Sequence, residues 1–240
     1  MLHLQSERLG LADNHSMPLS LCGKVFAADI TGALYWPGER TLLVADLHLE
    51  KASAAAVRGR MLPPYDTRET LMRLAEAIDR HEPDRVVALG DSLHDIAAVD
   101  RIGADDLDVL RLIQDGRDWV WVTGNHDPAI ASELGGRAVG ELRLGGIALR
   151  HIPQPGRVSH EIAGHMHPAA RLSRYGHTVR RPCFVHNGRR LIVPAFGSFT
   201  GGLNILDDAF LPLFGVDGFS VLMLGQEGLY PIATRLLQGD

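Results

Sequence analysis

The sequence predicts an α/β fold with mixed β-sheets, and two features of its 240 residues support this prediction. Segments with strand character alternate with segments of helical periodicity in the first half, as in parallel sheets that carry helices on their faces. The second half has the turn signals of successive β-hairpins, which contribute antiparallel strands. Hydrophobic residues make up 45% of the chain, enough for a sizeable core. Because no linker separates the halves, we expect a single domain over residues 1–240.

The first half begins with a loop-like extension, expected over residues 1–23, since Pro18 and Gly23 interrupt it. Further along, Asp66 is expected to cap a helix, with Glu69 as its partner in a capping box. Apolar residues then recur at helical spacing. The other predicted elements are strands at 25–35, 41–46, 85–90 and 118–123, and a helix at 105–114.

The second half is predicted to contain hairpins and a basic face. The hairpins lie at 142–151, around Gly145-Gly146, at 178–193, around Asn187-Gly188, and at 219–233. The net charge of −5 is unevenly spread, since residues 162–206 contain no Asp or Glu. The six arginines of that segment are Arg171, Arg174, Arg180, Arg181, Arg189 and Arg190. We call residues 171–193 the basic hairpin, and its charge asymmetry is a candidate functional feature.

Side chains that bind metals follow five of the predicted strands. In α/β sheets, the carboxyl ends of strands are where ligands bind. Residues two apart in an extended chain point the same way, so Asp46 with His48, and His165 with His167, can each present two ligand atoms. Each motif alone is explained by a turn or a helix cap, but their joint order predicts one metal site. The candidate ligands are Asp46, His48, Asp91, Asn125, His151, His165 and His167.

The types of metal-binding side chain limit which metals fit the site, and the cysteine content bears on where the protein is located. Carboxylate, amide and imidazole ligands suit Mn²⁺, Fe²⁺ or Zn²⁺, and the absence of thiolates argues against a structural zinc site. Two cysteines, Cys22 and Cys183, are too few for a disulfide framework, and no secretory signal is recognisable. We therefore expect a cytoplasmic protein. No apolar run is long enough to predict a membrane span.

In order and spacing, the segment from Asp46 to His167 resembles the calcineurin-like metallophosphoesterases. The resemblance implies a four-layer α/β sandwich, with mixed β-sheets flanked by helices and two metal ions in loops at strand ends. It assigns Asp46, His48 and His167 to one ion, Asn125, His151 and His165 to the other, and Asp91 to both as a bridge. His126 corresponds to the histidine that contacts the scissile phosphate, and we place its neighbour Asp127 with it in the catalytic group.

One position departs from the family pattern. Many members read Gly-Asp-x-x-Asp, and the last Asp orients the catalytic histidine, whereas this chain has His94 there and Asp95 one residue later. What orients His126 is therefore open, and His94 is either a group that supports the site or a polar loop residue. We take His94, Asp95 and His160 as candidates that support the ligands without binding metal.

Further motifs resemble one bacterial branch, the ligase-associated DNA-damage-response phosphoesterases. They are Asp46-Leu47-His48-Leu49-Glu50-Lys51, Gly164-His165-Met166-His167-Pro168, Arg181-Pro182-Cys183-Phe184 and Pro194-Ala195-Phe196-Gly197-Ser198. The branch implies a Mn²⁺-dependent phosphodiesterase or endonuclease that acts on DNA in repair, beside an ATP-dependent DNA ligase and a helicase. The residues expected to bind the phosphate backbone are Arg180, Arg181, Arg189 and Arg190. Those that can line the same cleft are Lys51, Arg58 and Arg60.

Two other functions stay open. A small-molecule phosphodiesterase or nucleotide phosphohydrolase would use the same metals and would not need the basic hairpin, which would then be a solvated face. A non-enzymatic scaffold would lack metal ligands, whereas all seven are present. The sequence carries no signal for the oligomeric state.

Overall fold

Two β-sheets and their flanking helices form the structure, a computed structural model that describes residues 15–240. In this part of the chain the first sheet has seven strands, which lie side by side in chain order. They are β1 Ser16–Leu21, β2 Lys24–Asp29, β3 Leu34–Trp36, β4 Thr41–Val44, β5 Arg85–Leu89, β6 Asp118–Val122 and β7 Arg137–Val139. Strands β1 to β4 pair antiparallel, and β4 to β7 pair parallel.

The second sheet has nine strands within the described residues. They are β8 Leu142–Leu144, β9 Ile147–Arg150, β10 Glu161–Ala163, β11 Pro168–Arg174, β12 His177–His186, β13 Arg190–Ile192, β14 Leu203–Asn204, β15 Ser220–Leu224 and β16 Leu229–Ile232. Their order is β14-β11-β12-β13-β10-β9-β8, with β15 between β12 and β16. Strands β9, β10 and β13 are parallel, and hairpins supply antiparallel pairs around them.

Helices and short 3₁₀ turns connect the strands. The α-helices of residues 15–240 are α1 Lys51–Val57, α2 Asp66–His81, α3 Ala104–Gln114 and α4 Leu211–Phe214. None of these helices is both long enough and apolar enough to cross a membrane. The 3₁₀ turns lie at 37–39, 96–101, 132–134, 208–210, 215–217 and 234–236.

Three apolar clusters separate four layers. Between the sheets, Val87 and Val120 of the first sheet pack with Leu149 and Phe184 of the second. On the outer face of the first sheet lie α2 and α3, and on that of the second lies the segment around Phe210. The α/β sandwich with mixed sheets is therefore confirmed. A single domain over residues 1–240 stays a prediction, because residues 1–14 lie outside the described part of the chain.

The expected loop-like extension over residues 1–23 is wrong from Ser16 onwards, where β1 forms. Leu19 and Leu21 are buried, so β1 adds to the core. Cys22 and Gly23 both have positive φ, 45° and 73°, and form the tight turn that returns the chain into β2. Pro18 is tolerated because β1 is an edge strand.

The capping role expected of Asp66 is also wrong. Asp66 is the first residue of α2, and no side-chain bond caps that helix. Its Oδ2 instead accepts a hydrogen bond of 3.0 Å from the backbone N–H of Ala52. That N–H lies in the first turn of α1, where helices lack internal acceptors, so Asp66 stabilises the neighbouring helix.

The strand predicted at 25–35 is interrupted by a turn around Asp29, which lies at the end of β2. Burial alone would raise the pKa of this carboxyl, but hydrogen bonds from His81, Thr31 and Arg80 lower it to about 2. Arg80 and His81 lie 2.6 Å and 2.8 Å from Asp29 Oδ2. His81 is thus part of a buried polar cluster that ties α2 to the first sheet.

Candidate metal centre

Parallel strands bring the candidate ligands to one edge of the two sheets. Asp46 and His48 follow β4, Asp91 follows β5, Asn125 follows β6, His151 follows β9, and His165 and His167 follow β10. Backbone bonds join the first loops, since Asp46 N–H donates to Gly90 O at 3.1 Å. The second sheet is joined by His165 N–H, which donates to Asp46 Oδ2 at 3.0 Å. The predicted convergence of seven side chains is therefore present in the structure.

Five of these residues have a left-handed backbone. The φ angles are 55° for Asp46, 45° for His48, 48° for Asp91, 69° for His165 and 43° for His167. The expectation that Asp46 and His48 lie in extended chain is thus wrong, although they do converge. Each such residue costs about 1–2 kcal/mol, and strain of this kind clusters at functional sites.

The first donor cluster contains Asp46, His48 and His167. His167 Nε2 lies 3.3 Å from Asp46 Oδ1 and 3.4 Å from His48 Nε2. His167 Nδ1 donates to the carbonyl of Gly201 at 3.2 Å, so its Nε2 carries the lone pair. Burial and the neighbouring His167 lower the pKa of His48 to about 3, which keeps that ring neutral and able to bind a metal.

The second cluster is built around His151. Its Nε2 lies 3.0 Å from Asn125 Oδ1, 3.1 Å from His165 Nδ1 and 3.3 Å from Asp91 Oδ1. Its Nδ1 donates to the carbonyl of Leu89 at 2.9 Å, which fixes the ring with Nε2 facing the other ligands. Burial would lower the pKa of His151, but the hydrogen bond to Asp91 and the charge of Asp46 raise it. Four atoms that can bind a metal therefore face one another, an arrangement that a cation stabilises.

Asp91 belongs to both clusters. Its Oδ2 is 4.0 Å from His48 Nε2 in the first cluster, and its Oδ1 faces His151 in the second. Burial would raise the pKa of Asp91, but hydrogen bonds from His151 and from the backbone N–H of His126 lower it to about 2. An ionised carboxylate between two sets of metal-binding side chains fits a pair of divalent cations with Asp91 as the bridge.

His126 lies at the mouth of this site, and a backbone carbonyl orients it. Its side chain is 42% exposed, and its Nδ1 donates to the carbonyl of His94 at 2.8 Å. The His94 ring also stacks on it, with centroids 5.5 Å apart. Asp95 instead makes two bonds of 2.9 Å with Arg101. The main chain of His94 therefore holds the His126 ring, and its side chain lies with His48 and His126 in a third group of donor atoms, whereas the carboxylate of Asp95 is paired with Arg101.

Comparisons with known proteins agree with this geometry. Residues 39–192 match the calcineurin-like phosphoesterase family. The chain belongs to that family. Among solved structures it is similar to the nuclease MPE of Pseudomonas putida, with 29% identity, a TM-score of 0.69, and coverage of 90% of this chain and 100% of that one.

Other comparisons are weaker. YfcE, a phosphoesterase from E. coli, has 15% identity and a TM-score of 0.40, over 80% of this chain and 98% of the other. No curated protein sequence matches the chain. With the family shown and both donor clusters present, the protein is a metal-dependent phosphoesterase.

Asp127 does not belong with His126 in the catalytic group of this phosphoesterase. Its side chain is fully buried and accepts four backbone N–H bonds. The donors are Gly124 at 2.8 Å, Asp91 at 3.0 Å, Ser92 at 2.6 Å and Leu93 at 3.1 Å. Asp127 therefore holds the loop after β5 against the loop after β6 and has no free lone pair for a substrate. Burial raises its pKa, against the effect of these donors.

Two glycines allow the ligand loops to approach this closely. Gly90 has a φ of 83°, and a Cβ there would lie 2.5 Å from the His151 ring. A Cβ on Gly124 would lie 2.2 Å from Asp91 Oδ1. Gly90 is required for its left-handed backbone as well as for the lack of space, whereas Gly124 is required because there is no room for a side chain.

The arginines predicted to bind phosphate separate into two groups. Arg180 and Arg181 line a cavity of about 140 Å³ together with His167, beside the metal centre. Arg189 precedes β13, which runs parallel to β10, so it lies at the end of the sheet away from His165 and His167. The prediction that these arginines lie beside the metal centre is therefore correct for Arg180 and Arg181 and wrong for Arg189.

The prediction for Arg190 is wrong because its side chain is 1% exposed. It forms an ion pair with Glu161, its partner in the β10–β13 register. The guanidinium also donates to the carbonyls of Leu213 and Gln154. A buried charge of this kind is a structural pair rather than a phosphate ligand.

His160 is not among the residues of the metal-binding clusters. Its backbone carbonyl accepts from Ala148 N–H at 3.1 Å, just before β10. The donor clusters found among residues 15–240 do not include it. Its expected support of the ligands therefore stays a prediction.

Sequence reasoning missed several groups that position the ligands. Two are the carbonyls of Leu89 and Gly201, which orient His151 and His167, and backbone carbonyls leave no signal in side-chain patterns. Another is Glu50, whose carboxylate accepts from Thr67 Oγ1 at 2.8 Å and links the first ligand loop to α2. The signal for Glu50 in the sequence is an acidic residue next to a ligand motif, and that signal is weak.

Proposed function

We propose that this phosphoesterase hydrolyses phosphodiester bonds in DNA and uses two Mn²⁺ ions. The observation that carries the proposal is the pair of donor clusters, with Asp91 between His48 and His151, beneath an exposed His126. Cationic side chains line cavities next to both clusters, Arg181 beside His167 and Arg58 beside His126. A polyanionic strand fits a metal centre with positive charge on more than one side.

The protein's own residues have separable roles in this proposal. Asp46, His48 and His167 would hold one ion, Asn125, His151 and His165 the other, and Asp91 both. Bound divalent ions would supply Lewis-acid charge to the phosphoryl oxygens and to the attacking water. The protein environment keeps His48 neutral and Asp91 ionised, the states in which they bind metal, as their lowered pKa values indicate.

His126 is the residue suited to proton transfer. Its Nδ1 is held by the His94 carbonyl, so Nε2 is the atom presented to the cleft. A protonated Nε2 can donate to a phosphate oxygen or to the leaving oxygen, and this step contributes typically 10²–10⁴-fold to a rate. Because the ring is fixed through main chain, replacing the His94 side chain would leave this hydrogen bond intact.

Two observations favour DNA as the substrate. The solved relative with 29% identity is a nuclease. Arg180 and Arg181 lie where a strand that crosses the first cluster would pass, and arginine binds phosphate in a bidentate manner. Arg180 is partly occupied by Asp240, whose carboxylate lies 3.3 Å from its Nε. The DNA backbone would compete with this exposed pair.

A metal screen tests the proposal. The enzyme is freed of metal, loaded with Mn²⁺, Fe²⁺, Zn²⁺ or Mg²⁺, and assayed on single-stranded DNA, bis(p-nitrophenyl) phosphate and p-nitrophenyl phosphate. We expect both diesters to be cleaved, fastest with Mn²⁺, and the monoester to be a poor substrate. Arg189→Ala is the matched control for Arg181→Ala, since it removes an exposed arginine far from the site.

A small-molecule phosphodiesterase remains the second candidate, and the placement of Arg189 and Arg190 favours it. With these two residues away from the cleft, the expected phosphate-binding face is reduced by half. Turnover of nucleotides or cyclic nucleotides with every metal, and no cleavage of DNA, would replace the DNA proposal by this one. A role in DNA repair, association with an ATP-dependent ligase and a helicase, and a cytoplasmic location stay predictions.

A further inference from the structure

We propose that Val57, Arg58 and Ile96 form a nucleotide subsite on the His126 side of the metal centre. Arg58 would bind the phosphate next to the scissile one, and Val57 with Ile96 would contact the sugar or base between the two phosphates. This inference rests on the proposed cleavage of DNA and specifies which surface holds the strand.

A cavity of about 650 Å³ opens directly beside the catalytic residues. Asn125 and His126 line this cavity together with Val57, Arg58 and Ile96. Its volume lies in the range of about 300–1,000 Å³ that is typical of ligand sites. A phosphate contacted by His126 would therefore have the rest of its nucleotide at the entrance of this cavity.

The cavity has an available cation. Arg101 also lines it, but that guanidinium is taken by Asp95 and by Ser53 Oγ at 2.9 Å. Among residues 15–240 no ion pair involves Arg58, and no acidic residue occurs between Lys51 and Tyr65. An anion entering the cavity would therefore meet Arg58 without displacing a carboxylate.

The same cavity carries apolar side chains that fit the non-ionic part of a nucleotide. Val57 is 77% exposed and Ile96 is 71% exposed, although both are large hydrophobic residues. Isolated exposed apolar residues need no explanation, but these two line one cavity beside a catalytic histidine. Proteins that bind single strands combine cations for the backbone with side chains, mostly aromatic, that contact the bases. In this cavity Arg58 would supply the cation, and the aliphatic Val57 and Ile96 the apolar contact.

The arginines on the other side of the metal centre indicate that the substrate is a polymer. The smaller cavity beside His167 is lined by Arg180 and Arg181, and the larger one beside His126 contains Arg58. A substrate with one phosphate needs a single cavity, whereas a strand extends in both directions from the scissile bond. The two arginine-lined cavities thus provide an entry and an exit for the chain.

The test compares Arg58→Ala with Arg60→Ala. Arg60 was expected to line the same cleft as Arg58, but it is an exposed arginine that is not among the residues lining the cavity. With Mn²⁺ enzyme, we expect Arg58→Ala to raise KM for a single-stranded oligonucleotide about 10-fold, and Arg60→Ala to change it less than 2-fold. Turnover of bis(p-nitrophenyl) phosphate should change little in Arg58→Ala, because that diester has no second phosphate.

Binding without turnover provides a second measurement. Fluorescence anisotropy of a labelled oligothymidylate, in EDTA, gives Kd as a function of salt. Removing one cationic side chain that neutralises a phosphate of a single strand lowers the slope of log K against log salt by about 0.7, and we expect that change for Arg58→Ala. The Ile96→Ser variant should weaken binding of the normal strand more than that of a strand with an abasic site.

The outcomes separate the two proposals. If the wild-type enzyme cleaves DNA and Arg58→Ala matches Arg60→Ala in KM and salt slope, the subsite is wrong and the proposed function stands. If Ile96→Ser affects normal and abasic strands equally, the apolar contact is wrong. If the wild-type enzyme neither binds nor cleaves DNA with any metal, both proposals fail.

Discussion

Asp127→Asn is the substitution whose cost follows most directly from the structure. The Asp127 carboxylate accepts bonds from Gly124 and Asp91 at Oδ1, and from Ser92 and Leu93 at Oδ2. An amide of the same shape can accept at one of its two positions. At the other, its N–H₂ group would face two backbone N–H donors in a fully buried space.

The expected destabilisation is large because the bonds involve an ionised group. Hydrogen bonds to charged partners contribute about 1.5–3 kcal/mol each, so removing two of them lowers the free energy of unfolding by about 3–6 kcal/mol. In either orientation of the amide, at least one donor left without an acceptor belongs to the loop that carries Asp91, the predicted bridge between the metals. We therefore expect weaker binding of both ions as well as lower stability.

Urea unfolding of the metal-free protein, followed by circular dichroism, measures the loss of stability. Elemental analysis after dialysis against Mn²⁺ measures the loss of bound metal. Asp95→Asn is the control, since it neutralises a partly exposed partner of Arg101 and should cost under about 1 kcal/mol. If Asp127→Asn unfolds within about 1 kcal/mol of wild type and retains full metal, the role assigned to Asp127 in holding the loops is refuted.

Four further predictions follow from the site and the fold. Protein purified with Mn²⁺ should approach two ions per chain, and Asp91→Ala should lose both; full activity at one ion per chain would contradict the paired clusters. His126→Ala should retain its metal in elemental analysis and lose about 10²-fold or more in rate, as removal of an acid–base group does. Replacing Arg180 and Arg181 by Ala should reduce the salt dependence of DNA binding, and unchanged titrations would show a solvated face. Asp29 should contribute about 2 kcal/mol of stability above about pH 4, because folding lowers its pKa from 3.8 to about 2; Asp29→Asn should remove the part of the acid unfolding curve that falls between these values.

The ligand positions were predictable because they depend on chain order. Each follows a buried strand, and parallel strands of one sheet end at the same edge, so Asp46, Asp91 and Asn125 had to converge. Turn signals were equally reliable where two residues fix the geometry, as at Asn187-Gly188 between β12 and β13. In these cases the local pattern alone decides the structure.

The predictions failed for residues whose role depends on a partner that is far away in the sequence. Arg190 belongs to a segment without acidic residues, yet its partner Glu161 lies one residue outside that segment and beside it in the sheet. Asp127 follows a predicted ligand and a catalytic histidine, but its bonds go to the loop after β5. No pattern within a short window contains such pairs, because they follow from strand register.

The left-handed ligand loops indicate what the metal ions do for the folded protein. Five strained residues at about 1–2 kcal/mol each amount to roughly 5–10 kcal/mol, which is comparable to the whole stability of a typical domain. Asp127, the Gly90 carbonyl and the N–H of His165 offset part of this strain through bonds between loops. The remaining feature is the close approach of metal-binding atoms around His151 and His167, which bound cations would stabilise. Metal binding and the conformation of these loops are therefore coupled, and the same bonds that fix the ligands also resist their relaxation when the ions are absent.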